Sequence, residues 1–208
     1  MKQKHKDRFR QLFKEYSEDD FHRRSERAAR HLLAAAAFKN HSRVCFEQTD
    51  SVLLPPVGYY YSCFHMAVAL CFLNPQVREE KLDRIRHTQL QKIITSHFVD
   101  RRLLSDSFSK LLDQQKKQRE FLNYTFGEFG YDLFREVAKT EKRINQQFVK
   151  CFKLIDKICE VAAMDYDIRF RIGVYIADAK GDDFVQTYLS ESEQDDVIEY
   201  LVEAGYCV

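Results

Sequence analysis

The chain has 208 residues, which is enough for one domain with a sizeable core. Its 33 Lys/Arg and 32 Asp/Glu give a net charge of +1, which argues against a protein that coats nucleic acid through bulk positive charge. The six cysteines show no Cys-x-x-Cys pair, so we expect no metal site, no disulfide framework and no cofactor.

The two ends of the chain differ in charge. By count, residues 1–43 carry twelve Lys/Arg and six Asp/Glu, whereas residues 156–208 carry four and thirteen. This asymmetry indicates either solvated faces that attract each other weakly, or a basic surface for an anionic ligand that the acidic tail partly masks. The N-terminus lacks an apolar signal core and no apolar run reaches membrane-spanning length, so we expect a cytoplasmic protein without membrane contact.

The composition favours helix because only three prolines and six glycines interrupt the chain. Pro55-Pro56 marks a loop at 48–57, and the small residues 34–37 predict close approach of a neighbouring element. Apolar spacing predicts helices at residues 1–16, 17–46, 58–72, 84–98, 103–124 and 133–163. The helix at 58–72 is predicted to be the central buried one, with Tyr60 on its apolar side.

The period of the pattern changes after residue 163. Apolar residues alternate with polar ones and glycine over 166–176, which predicts a strand, and a turn at 180–183 leads to a final helix at 192–204. The chain therefore divides into a basic amphipathic segment (1–16), a helical bundle (17–163) and an acidic C-terminal strand-plus-helix appendage (164–208). A lone strand has unpaired edges, so we expect it to pair with a neighbour.

Three segments of the helical part resemble a known family. They are GYYYSCFHMA at residues 58–67, HTQL at 87–90 leading to His97-Phe98, and REFLNY at 119–124. Together, in this order and at these separations, they are similar to the motifs of HEPN domains (higher eukaryotes and prokaryotes nucleotide-binding). The resemblance implies a mainly α, up-and-down helical bundle, commonly a homodimer.

The resemblance also implies a class of function. Many HEPN proteins are metal-independent RNases of toxin or defence type, with an Arg-x4-6-His motif at the dimer interface, and some pair with a nucleotidyltransferase. In this chain Arg119 is present, but Tyr124, Thr125 and Phe126 stand where the histidine belongs, and the last histidine is His97. A phenol ionises near pH ~10 and is a poor base. The resemblance therefore carries over Arg119, with Asn123 and Tyr124, as ligand-binding candidates.

Three hypotheses stay open from the sequence. The first is a nucleotide- or RNA-binding regulatory module that forms a homodimer or docks a nucleotidyltransferase-type protein, with a degenerate RNase motif. The second is a metal-independent RNase, because arginine can stabilise a phosphorane and a histidine from elsewhere, His87 or His31, can act as base. The third is a structural dimer with Arg119 in a salt bridge. Catalytic candidates are Arg119, His87 and Tyr124.

Other residues have plainer interpretations. Arg24 and His31 also satisfy Arg-x6-His, but they lie on a helix rich in arginine, where a solvated stripe is the simpler interpretation. His65 lies on the most apolar helix and is expected to be a hydrogen-bonded core residue. His87 and His97 are ten residues apart, which argues against a shared metal. Several cations are candidates either for a phosphate-binding groove or for ordinary wet surface: Arg84, Arg86, Lys92, Arg101, Arg102, Lys110, Lys116 and Lys117.

Overall fold

The computed structural model describes residues 3–14, 18–49, 52–124 and 133–162. In these ranges the chain forms a bundle of α-helices without strands, joined by a 3-10 turn at Glu79–Lys81 and a π-helical turn at Thr95–Val99. The mainly α-helical fold predicted from the sequence is therefore confirmed. The helices are α1 (Gln3–Lys14), α2 (Glu18–Thr49), α3 (Pro55–Phe72), α4 (His87–Ile94), α5 (Asp106–Tyr124) and α6 (Leu133–Ala162).

Several helix boundaries differ from the predicted ones, and α2 runs to Thr49, three residues beyond its predicted end and into the predicted loop at 48–57. Helix α3 begins at Pro55, not at Gly58, because two prolines fit a first helical turn, where their missing N–H groups are not needed. Helices α4 and α5 each begin three residues later than predicted, and the chain after α4 widens into the π-helical turn. The predicted C-terminal strand, turn and helix, and the predicted turn at 125–131, lie outside the described residues.

Helix α3 is the centre of the bundle and packs against α2, α4, α5 and α6. Thirteen of its 18 residues are buried, as predicted for the central helix. The closest approach is to α2 at Gly58, where an added Cβ would overlap Ser42 Oγ and lie 3.0 Å from the carbonyl oxygen of Phe38. The predicted small patch serves the same seam, since Ala35 and Ala36 are completely buried.

Arg24 on α2 closes the C-terminal end of α3. Its guanidinium donates hydrogen bonds to the carbonyl oxygens of Phe72 (2.8 Å), Asn74 (3.0 Å) and Val77 (2.8 Å), and the residue is 5% exposed. The last carbonyl groups of a helix have no hydrogen-bond donor within the helix. Here the buried guanidinium donates the hydrogen bonds that water would otherwise supply. Arg24 of the Arg-x6-His match is thus a buried structural cap, and the interpretation that placed it in a solvated stripe is wrong.

Candidate functional site

Arg119 lies on the inner edge of α5. The buried residues Phe108, Leu112, Gln115 and Leu122 recur every three or four positions, and Arg119 follows Gln115 by one helical turn on the same stripe. This spacing turns the side chain toward α3. Its guanidinium carbon lies 4.4 Å from the centroid of the Tyr60 ring, and the side chain is 21% exposed. Such a cation over an aromatic face is attracted by the ring quadrupole.

His87 reaches the same aromatic ring from a different helix. It is the first residue of α4, and its ring centroid lies 5.8 Å from that of Tyr60. The fold therefore brings the candidates Arg119 and His87 together, although they are 32 positions apart in the sequence. Tyr60 itself is 4% exposed, so a buried ring positions both candidates.

Two charged residues of α5 complete this group, which we call the Arg119 cluster: Tyr60, His87, Lys116, Arg119 and Glu120. Lys116 Nζ lies 3.0 Å from Glu120 Oε2, whereas the Arg119 guanidinium lies 3.9 Å from the other Glu120 oxygen. Glu120 is thus engaged mainly by Lys116, and its side chain is 37% exposed. The described residues do not hold Arg119 against a carboxylate in a closed core, which was the arrangement expected for a structural salt bridge.

The cluster contains buried polar atoms without hydrogen-bond partners among the described residues. They are Arg119 Nε and both ring nitrogens of His87. A buried donor left without an acceptor costs about 1–3 kcal/mol, and the described residues hold other such atoms outside the cluster, among them side-chain atoms of Gln76 and Gln115. An anion beside Arg119 would supply the acceptor that its Nε–H lacks.

Burial sets the charge states in the cluster. It lowers the pKa of His87, and the positive charges of Lys116 and Arg119 lower it further, while Asp113 and Glu120 oppose them. Burial also raises the pKa of Tyr60, although Arg119 acts in the opposite direction. At neutral pH the cluster therefore presents a neutral imidazole and a neutral phenol beside two cations.

The other two predicted ligand-binding residues end the same helix. Asn123 and Tyr124 are the last residues of α5, four and five positions after Arg119, and their side chains lie outside the part of the chain that the structure describes. Their roles stay predictions.

His31 and His65 form a separate pair in the seam between α2 and α3. Their Nδ1 atoms lie 2.8 Å apart, and their rings stack between Phe72 and Phe38 with centroid separations of 5.1 to 5.6 Å. Burial lowers the pKa of His31 to about 3, assisted by His65 and Arg27, and lowers that of His65 to about 4. The interpretation of His65 as a packed, hydrogen-bonded residue fits this geometry, and His31 belongs to the same structural pair.

No metal centre is found in the described ranges. These contain no group of three or more His, Cys, Asp or Glu residues able to hold a metal ion. Cys63, Cys71 and Cys151 are buried free thiols, and burial raises the pKa of Cys63 to about 12. These thiols pack as small apolar residues rather than as nucleophiles.

Sequence reasoning missed Tyr60 as a site residue and assigned it only to the apolar face of α3. The sequence offered a partial indication of Tyr60. It stands in a run of three tyrosines, and a buried phenol group usually has a polar neighbour. The contact with Arg119 joins helices that are distant in sequence, so periodicity alone does not predict it.

None of the helices in the described residues has the length and apolar character needed to cross a membrane. Comparison of the chain with protein-family models, with curated proteins and with solved structures finds no match.

Proposed function

We propose that this protein is a HEPN-like helical module that binds a nucleotide or RNA through a phosphate group at the Arg119 cluster. One observation carries the proposal: the Arg119 guanidinium is fixed over the Tyr60 ring beside His87, and its Nε lacks an acceptor among the described residues. A planar guanidinium matches phosphate oxygens with two parallel hydrogen bonds.

The surroundings of Arg119 favour an anion. Lys116 adds a second positive charge one turn before it on α5. His87 is the first residue of α4, so the positive end of the helix dipole lies at the cluster; the Arg86 backbone N–H before it donates to Gln89 Oε1 at 3.0 Å. Partial burial strengthens each of these interactions, because the local dielectric constant is lower than that of water.

Binding of single-stranded RNA tests the proposal directly. Fluorescence anisotropy with a labelled RNA oligonucleotide compares wild type with Arg119→Gln and Arg119→Lys. We expect Arg119→Gln to weaken binding about tenfold or more, because charge-assisted hydrogen bonds contribute about 1.5–3 kcal/mol. Arg119→Lys keeps the charge but loses the planar donor pair, so we expect an intermediate affinity.

The matched control is Lys142→Gln, which removes one exposed charge from α6. It corrects for the loss of general positive charge and is expected to change affinity less than twofold. Equal affinity of wild type and Arg119→Gln would refute the proposal.

A metal-independent RNase is the second candidate, and the position of His87 supports it. A neutral imidazole next to an arginine has the groups needed to deprotonate a ribose 2′-hydroxyl and to stabilise a charged phosphorane. The test is RNA cleavage by purified protein in EDTA, with Arg119→Ala and His87→Ala beside wild type. Loss of cleavage in both variants, with RNA binding retained in His87→Ala, supports the enzyme. Absence of cleavage by wild type rejects it.

Assembly belongs to the same proposal. The HEPN resemblance implies a homodimer, with a nucleotidyltransferase-type protein as the other candidate partner and a toxin or defence role for the module. Light scattering of the purified chain measures its mass in solution, and a monomer at the highest concentration tested contradicts the homodimer.

A further inference from the structure

The outer face of α6 carries charge of one sign. The two acids among the described side chains of this helix, Glu136 and Glu141, are mostly buried, with side-chain exposures of 19% and 23%. Every charged side chain that the structure describes as exposed on α6 is a cation: Arg135, Lys139, Lys142, Arg143, Lys150, Lys153 and Lys157. Solvent therefore meets positive charge along this face without negative charge beside it.

The spacing of these cations places four of them on one line along the helix. Lys139, Lys142, Lys153 and Lys157 are separated by three, eleven and four residues. These separations are about one, three and one turns of a helix with about 3.6 residues per turn. We call the four lysines the α6 stripe. The stripe is about 27 Å long at a rise of about 1.5 Å per residue.

Exposed cations on α5 are neutralised within their own helix. Lys110 pairs with Asp106 at 2.6 Å and Lys117 pairs with Asp113 at 2.7 Å, one turn earlier in each case. Such pairs at a spacing of four residues stabilise a surface helix and balance its charge. The α6 stripe differs, because its last three lysines have no ion pair with any residue that the structure describes.

The most acidic part of the chain follows α6. Residues 182–208 contain eight Asp/Glu and no Lys/Arg, and six of these acids lie within residues 191–203, which we call the acidic segment. Glu191, Asp195, Glu199 and Glu203 recur every four residues, which is the spacing of one helix face. The acidic segment lies outside the described residues. Its charge and its spacing complement those of the α6 stripe.

The intervening chain is long enough to bring the acidic segment to the stripe. The described part of α6 ends at Ala162, and 28 residues (163–190) separate it from the acidic segment. Their fully extended length is about 90 Å at about 3.3 Å per residue. The way back from Ala162 to Lys142 is only about 30 Å along the helix. A tether that spans its site raises the local concentration of the segment to the order of millimolar, which favours it over a separate acidic partner.

We propose that the α6 stripe is the docking surface for the acidic segment 191–203 of the same chain. The lysines of the stripe pair with the carboxylates of the segment. Because these ion pairs are exposed, docking weakens as the salt concentration rises. The stripe shares no residue with the Arg119 cluster, so this inference does not depend on the proposed function.

Carbodiimide cross-linking of the full chain identifies the occupant of the stripe. An equal mixture of unlabelled and nitrogen-15-labelled protein is cross-linked, and mass spectrometry locates the amides formed between lysines and carboxylates. We expect links from the stripe to residues 191–203 in which both peptides carry the same isotope. Mixed-isotope links in about half of the pairs show that a second copy supplies the segment. Links to Lys81 or Lys92 in place of the stripe show that the segment docks elsewhere, and either result overturns the inference.

Hydrogen exchange of the acidic segment measures docking without chemical modification. The variant Lys142→Gln/Lys153→Gln/Lys157→Gln changes only exposed residues, and unchanged exchange in α2 and α3 verifies its fold. We expect the amides of residues 191–203 to exchange at least about threefold faster in this variant, because three ion pairs are lost. The matched control Lys110→Gln/Lys117→Gln removes exposed cations that are already paired on α5, and it is expected to leave this exchange unchanged.

Charge reversal distinguishes ion pairing from other effects of substitution. Replacing the last three lysines of the stripe by glutamate is expected to release the acidic segment. Adding Glu191→Lys/Asp195→Lys/Glu199→Lys to that chain is expected to restore slow exchange, because the paired charges are exchanged. Equal exchange of residues 191–203 in wild type and in the glutamine variant overturns the inference. Protection of these residues that persists at about 1 M sodium chloride also overturns it, because exposed ion pairs are screened there.

Discussion

The histidine pair between α2 and α3 makes the stability of the bundle depend on pH. Burial depresses the pKa of His31 to about 3 and that of His65 to about 4, whereas both titrate near 6.5 in an unfolded chain. Below pH 6.5 the unfolded state therefore binds more protons than the folded state. Stability from the neutral pair is present above pH 6.5 and is lost as the pH falls through about 4 for His65 and about 3 for His31.

The size of the effect follows from these values. At pH 5, protonation favours the unfolded chain by about 2 kcal/mol for each histidine whose folded pKa is 4 or lower. Because both rings are partly exposed, we expect the pair to reduce the free energy of unfolding by about 2–4 kcal/mol between pH 7 and pH 5. Urea denaturation followed by circular dichroism at the two pH values measures this difference.

The double variant His31→Phe/His65→Phe isolates the pair. Phenylalanine cannot titrate, and it continues the ring stack between Phe72 and Phe38. We expect the difference in unfolding free energy between pH 7 and pH 5 to shrink by about 2–4 kcal/mol in this variant, whatever its absolute stability. His41→Gln, which removes an exposed histidine of α2, is the control. An unchanged pH dependence in the double variant would refute the reasoning.

Two further predictions concern the α2–α3 seam. Gly58→Ala is expected to destabilise the fold by about 1–3 kcal/mol, despite the better helix propensity of alanine, and Ser42→Ala in the same chain is expected to recover part of the loss. A Gly58→Ala chain as stable as wild type in urea contradicts the close approach. Arg24→Met is expected to cost about 2–4 kcal/mol because three buried carbonyls lose their donor, and Arg24→Lys to recover less than half of it. Full recovery with lysine in the same assay would show that only the charge matters.

The helices were predictable because each carries its own local signal. Apolar residues at helical spacing located α2, α3, α5 and α6 to within a few residues, and the apolar run in α3 identified it as the central helix. Pro55-Pro56 was misinterpreted because proline both breaks a helix and favours its first turn, and the sequence does not say which. The π-helical turn after α4 depends on packing around Phe98, which is completely buried, and periodicity does not encode it.

The candidate site was predictable only in its parts. The HEPN resemblance named Arg119 and directed attention to His87, but the ring that positions them, Tyr60, comes from a third helix. A contact of this kind depends on how α3, α4 and α5 pack against one another. The spacing of apolar residues within one segment does not predict side-chain contacts with a distant segment.

Arg24 and Arg119 show why spacing alone is a weak guide to function. Of these two arginines, only Arg24 is followed by a histidine at the Arg-x4-6-His spacing. Yet Arg24 is 5% exposed and donates to three backbone carbonyl groups, so these hydrogen bonds stabilise the fold. Arg119 lacks the following histidine, but its Nε is buried without an acceptor among the described residues, and its side chain as a whole is 21% exposed. A group that can bind a ligand must keep hydrogen-bonding capacity that the fold does not use. By this criterion Arg119 is the better candidate for phosphate, and the effect of Arg119→Gln on RNA affinity decides whether the criterion holds.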